Sequence, residues 1–121
     1  MKVIYENIVK VPGSCAEEFR AEKMLILFGE SAPEELRDYC YSVDVNPVNG
    51  VICAGQMLTI GESAYKITAV GEEAPVTLAG LGHCTIKFTG QTAVELPGTI
   101  YVEEKPMPVI GAGTVIRITE A

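Results

Sequence analysis

The chain carries a single histidine, His83, which follows Gly80-Leu81-Gly82 and opens the segment His83-Cys84-Thr85-Ile86-Lys87-Phe88. As a strand, this segment pleats so that His83, Thr85 and Lys87 share one face and Cys84, Ile86 and Phe88 the other. The second set is the core face, so the imidazole points outward beside a hydroxyl and an ammonium. The turn before it can offer backbone N–H groups around Gly80 and Gly82 to an anion. This set suits a histidine that accepts a phosphoryl group. An unprotonated ring nitrogen, available near neutral pH at a pKa of about 6.5, attacks phosphorus. Donors or a cation already in place then hold the charged oxygens. The same residue also reads as a surface histidine without a chemical role.

The other candidates are weaker. Cysteines stand at Cys15, Cys40, Cys53 and Cys84 with no C-x-x-C pair, so with one histidine a zinc site would be unusual, and no metal or cofactor is expected. Cys53, in the small-residue stretch Val51-Ile52-Cys53-Ala54-Gly55, is an alternative nucleophile, set against a buried structural thiol. No G-x-S-x-G elbow, P-loop, G-x-G-x-x-G or EF-hand pattern occurs. The acidic groups Glu17, Glu18, Glu22 and Glu34, Glu35, Asp38 fit solvated helix starts.

The elements that must position these residues are short. Twelve glycines and seven prolines divide the chain into segments rich in Val, Ile, Thr, Tyr and Phe. The pattern predicts strands over Lys2–Lys10, Met24–Phe28, Tyr39–Val45, Gln56–Ile60, Ala64–Val70, His83–Phe88, Gly98–Glu103 and Thr114–Thr119. Ser14-Cys15-Ala16-Glu17 and Ser31-Ala32-Pro33-Glu34 have the capping-box form and predict two short helices, to about Lys23 and about Asp38. Asn49-Gly50 predicts a hairpin turn, and Gly61-Glu62 joins two further strands. From Tyr39 onward the chain reads as all-β, with no strand–helix–strand alternation to suggest parallel pairing. The expected fold is a mainly-β single domain over residues 1–121, a small closed or partly open β-barrel, with a sandwich second.

Composition narrows the partners. Sixteen acidic against nine basic residues give a formal charge of −7, which argues against nucleic acid and anionic membrane surfaces. The longest apolar run, Met24–Phe28, falls far short of a membrane span, and no signal-peptide core builds up after Met1, so a cytoplasmic location is expected.

Taken together, the segments resemble the glucitol/sorbitol-specific enzyme IIA component of the sugar phosphotransferase system (PTS). The likeness rests on Val3-Ile4-Tyr5, Met24-Leu25-Ile26 with Phe28, and Ala32-Pro33 followed by Leu36 and Tyr39-Cys40. It continues through Tyr65, Thr68-Ala69-Val70-Gly71, Leu81-Gly82-His83 with Thr85, Phe88 and Gly90, and Pro97-Gly98-Thr99 with Val102. The resemblance implies a small closed barrel. It also implies a relay that takes phosphate from the histidine-containing phosphocarrier protein and passes it to the IIB part of a membrane IIB/IIC transporter, the sugar never touching this subunit. The family pattern places its phosphorylated histidine just after the Tyr-Cys pair, where this chain has Val43, and a further histidine where it has Cys53. His83 matches a histidine the pattern shares. Three readings follow: His83 is the acceptor, Cys53 accepts as thiolates do in related IIB subunits, or the chain is a paralogue that binds or regulates without carrying phosphate.

Overall fold

Alternation of buried and open side chains sets the frame seen in the computed structural model, which describes residues 2–121. Among these residues the strands are β1 (Val3–Ile8), β2 (Val11–Pro12), β3 (Met24–Phe28), β4 (Tyr41–Ser42), β5 (Met57–Ile60), β6 (Ser63–Val70), β7 (Cys84–Lys87), β8 (Thr99–Val102) and β9 (Val115–Thr119). They form one curled sheet in the order β1-β9-β5-β6-β8-β7-β3-β4-β2, a partly open barrel. Inward residues such as Leu25, Leu27, Leu58, Ile67, Ile86 and Phe88 fill it, with the Tyr65 and Phe88 rings edge-on at 4.8 Å.

The two edges of the sheet come from one stretch of chain. β1 pairs with β9 and β2 with β4, and only Val9 and Lys10 separate them. Val9 N–H bonds to Thr114 O at 2.9 Å and Lys10 N–H to Ser42 O at 2.8 Å, so the backbone changes partner between adjacent residues. Successive N–H groups of an extended chain point opposite ways, which lets one segment serve both edges. The expected single strand over Lys2–Lys10 is therefore two strands with a hand-over between them.

Several sequence expectations are corrected. The sheet is mixed: β3 pairs parallel with β4 across the helical turn α1 (Glu34–Arg37), and β7 pairs parallel with β8. Tyr39–Val45 contributes only the two residues of β4: Val43 N–H still bonds to Phe28 O of β3 at 3.0 Å, but Asp44 N–H turns to the Asn7 side-chain oxygen at 3.1 Å. Asn49-Gly50 makes no hairpin; residues 43–56 cross from β4 to β5, with Asn49 N–H bonded to Ile4 O. Gly61-Glu62 does form a tight hairpin, with Ile60 opposite Ser63 and Gly61 at φ +60.

Neither capping box forms. Ala16–Glu22 is a 3-10 helix with Cys15 at its N-cap, α1 begins after Pro33, and neither has a side-chain cap. Glu17 is drawn instead to Arg20 and to the Tyr41 hydroxyl. The region expected to be all-β also contains a helix, α2 (Ala74–Leu81), with Pro75 in its first turn and Gly82 as a left-handed C-cap. Only Ala74 and Leu78 of α2 are buried, one contact every four residues, too little to register as a helical period in so short a segment.

Candidate functional site

His83 sits between the end of α2 and the start of β7, half-buried on the outer face of the sheet. Cys84, Ile86 and Phe88 point inward, while Thr85 and Lys87 line up with His83 outside. Thr77 clamps its backbone on both sides. The His83 N–H donates to Thr77 O at 3.1 Å, and the Thr77 hydroxyl donates to His83 O at 2.8 Å.

The ring is held as firmly. Nδ1 lies 3.1 Å from Leu27 O, and a carbonyl can only accept, so Nδ1 carries the proton. In the neutral ring this leaves the lone pair on Nε2, which no hydrogen bond engages among the described residues. The ring stacks on Phe28 with centroids 4.2 Å apart and planes 25° from parallel. Beside it opens an apolar cavity of about 280 Å³, walled by Ile26, Phe28 and His83 below and by Phe19, Leu36, Tyr39 and Cys40 above.

The glycines play a different part from the one expected of them. Gly82 N–H is bonded to Leu78 O at 3.0 Å, and Gly80 stands in the last turn of α2, where N–H groups bond four residues back. The turn before His83 is thus a helix C-terminus, whose carbonyl end carries negative partial charge and favours a cationic ring over a nearby anion. Thr85 and Lys87 remain as candidate anion partners, with α-carbons about 6.6 Å and about 13 Å along the strand from His83 by strand rise.

Val43 is wholly enclosed, at 0% exposure, inside the barrel and thus on the opposite side of the sheet from the His83 ring. Its neighbour Asp44 is gripped by Asn7, buried on β1. Asn7 Nδ2 donates to Asp44 O at 2.7 Å, and Asn7 Oδ1 accepts from Asp44 N–H at 3.1 Å. Cys53 is exposed in the segment that crosses to β5, with its N–H bonded to Gln56 Oε1. The structure therefore gathers His83, Thr85 and Lys87 on the outer face and turns the Val43 side chain into the core. Leu27 O, Phe28 and Thr77 are the site residues that sequence reasoning missed. Phe28 alone carried a signal, since alternation against Leu25 and Leu27 turns it outward.

A family model described as the PTS system glucitol/sorbitol-specific IIA component matches residues 4–117. The chain belongs to this family. It is 34% identical over 117 residues to the PTS glucitol/sorbitol-specific EIIA components of Shigella flexneri and of Escherichia coli strain K12, covering 97% of this chain and 95% of each relative. The crystal structure of a PTS IIA component from Enterococcus faecalis V583 superposes with a TM-score of 0.82 at 28% identity, over 93% of this chain and 97% of that one. The fold of this chain is thus mainly β, a curled barrel with a few short helices, as the strand pattern led one to expect. Among the described residues of this IIA-family chain, no helix is long and apolar enough to cross a membrane.

Proposed function

We infer that this IIA-family chain carries a phosphoryl group on His83 Nε2, taking it from the histidine-containing phosphocarrier protein and passing it to a glucitol/sorbitol-type IIB subunit. The observation that carries the reading is the Nδ1–H···O=C bond to Leu27, which leaves Nε2 unprotonated on a ring fixed in place. In the transfer the Nε2 lone pair forms the new N–P bond while the donor's N–P bond breaks, its electron pair returning to the donor imidazole. The phosphorylated ring gains cationic character, which Leu27 O and the carbonyl end of α2 stabilise. Thr85 and Lys87 would receive the phosphate oxygens.

A second reading, a IIA-like module that binds or regulates without carrying phosphate, is favoured by two observations. The apolar Val43 is buried at the position where the family pattern has its acceptor, and the backbone N–H groups next to His83 are already engaged. The test is to incubate the protein with phosphoenolpyruvate, enzyme I and the phosphocarrier and to measure intact mass. One added phosphate, lost in His83→Ala and assigned to Nε2 by NMR, is the expected result. A gain that survives His83→Ala and disappears in Cys53→Ser transfers the role to the thiol. No gain, under conditions that phosphorylate a relative, establishes the second reading.

A further inference from the structure

Asn49-Gly50, which makes no hairpin, serves instead at the edge of the sheet. β1 is the last strand in the order and pairs only with β9, so alternate peptide groups along its other edge need partners. The segment 43–50 supplies them as a strap laid along β1. Asp44 is held by Asn7, Asn46 Nδ2 donates to Glu6 O at 2.8 Å, and Asn49 N–H donates to Ile4 O at 2.7 Å. At this last contact the Asn49 side chain and Gly50 are exposed.

The chain has three asparagines, and the structure treats each differently. An asparagine side-chain amide is open to attack by the peptide nitrogen of the next residue, provided that nitrogen is free and the side chain can turn toward it. Asn7 is buried with its amide engaged on both sides, and the Ile8 N–H that would attack is bonded to Asn7 Oδ1 at 2.9 Å. Asn46 precedes Pro47, whose nitrogen has no proton to lose. Asn49 precedes glycine, which has no Cβ to obstruct the approach. Among the described residues, no hydrogen bond engages the Asn49 side chain or the Gly50 N–H. A Cβ at Gly50 would lie 3.6 Å from Lys2 Nζ, so an ammonium stands beside the attacking nitrogen. That charge favours the anion left when the Gly50 N–H is lost, and the oxyanion that follows on Asn49.

We propose that Asn49 is a site of spontaneous deamidation, promoted by Lys2, and that the change loosens the strap over β1. The Gly50 nitrogen gives its proton to water, and its electron pair forms a bond to Asn49 Cγ. The Cγ–Nδ2 bond breaks, ammonia leaves with a proton from solvent, and a succinimide ring closes. Water then opens the ring. Cleavage between Gly50 N and Cγ leaves an aspartate; cleavage between Gly50 N and the Asn49 backbone carbonyl carbon leaves an isoaspartate. In sum, an amide and water become a carboxylic acid and ammonia. The isoaspartate adds a methylene to the main chain directly after the N–H that holds Ile4 O, which breaks the register between strap and strand. No step involves His83, so the site stands or falls apart from the relay.

The test ages the full-length protein in mildly alkaline buffer at physiological temperature, separates charge variants by anion exchange and locates isoaspartate by peptide mapping. The expected result is a species with one more negative charge, modified at Asn49 and absent in Asn49→Gln, whose longer side chain closes a less favoured ring. Lys2→Gln should slow its formation about fivefold, the Coulomb effect of one ammonium about 4 Å away in water. Hydrogen exchange at the residue 49 amide should be about tenfold faster in the isoaspartate form, the loss of one hydrogen bond. It should stay slow in Asn49→Asp, which carries the same charge on an intact backbone. Amide dispersion in each variant verifies that it is folded. No charge variant after ageing, or modification at Asn7 to the same extent, overturns the site. An unchanged rate in Lys2→Gln overturns the promotion by Lys2. Unchanged exchange in the isoaspartate form overturns the loosening of the strap.

Discussion

At the scale of single residues, His83 and Asn7 are each held by several partners at once. His83 is fixed at its backbone by Thr77 and at its ring by Leu27 O and Phe28. Thr77→Val removes the hydroxyl that caps His83 O and should cost about 1 kcal/mol, read as a lower urea midpoint. Asn7 is held as closely. Its amide bonds both peptide groups of Asp44, and also the Tyr5 hydroxyl at 2.7 Å and Ile8 N–H at 2.9 Å. Burial then pushes the Tyr5 phenol up to about 12. Asn7→Ala would leave the Asp44 N–H and the Tyr5 hydroxyl without partners inside the fold, and should cost about 2–3 kcal/mol in the same assay. The outward direction of His83 was legible from the pleat. Its partners were not, because Leu27 lies 56 residues away in sequence and no local rule links the two.

At the scale of elements, α2 turns on two glycines with opposite demands. Gly82 has φ +68, and a Cβ there would lie 3.0 Å from Gly29 N and 3.1 Å from Asp44 O, both backbone atoms that cannot yield. Gly82→Ala should therefore destabilise by about 1–3 kcal/mol. Gly80 lies inside the helix, and a Cβ there meets nothing within 4 Å. Gly80→Ala should stabilise by about 0.5–1 kcal/mol. Thermal unfolding of the two variants side by side measures the contrast, and a destabilised Gly80→Ala protein would contradict the placement of α2. Sequence alone placed both glycines in one anion-facing turn, since Gly80-Leu81-Gly82 looks the same whether it ends a helix or forms a loop. The two capping boxes failed for a related reason. A serine three residues before a glutamate is only a local opportunity, and Glu17 has stronger partners in Arg20 and Tyr41.

For the whole molecule, those contacts matter because with Arg20 they join three separate parts of the chain. The Tyr41 hydroxyl donates to Glu17, Glu17 pairs with Arg20, and Arg20 donates to Met107 O and Pro108 O. The 3-10 helix is thus tied to β4 and to the loop before β9. Hydrogen bonds from Arg20 and then Tyr41 hold the Glu17 carboxyl below its ordinary value of 4.5. A lowered folded value means the tie contributes stability above that ordinary pH and loses it as pH falls through the folded value. Solvent screens so exposed a carboxylate, and the contribution should stay below about 1 kcal/mol. Glu17→Gln should lower stability at neutral pH and flatten this part of the acid limb in urea titrations at a series of pH values. An unchanged acid limb would show that the tie contributes nothing.

By itself, the sequence determined most of the strands, their inward faces, the mainly-β barrel and the outward imidazole. Each of these follows from a two-residue alternation and from glycine and proline breaks, which act over a few neighbouring residues. Only the tertiary structure decided the parallel pairings, the hand-over at Val9-Lys10, the helix before β7 and the proton on His83 Nδ1. These depend on which distant group satisfies each backbone N–H and C=O, and that choice is made when the whole sheet curls and every buried polar group must find a partner.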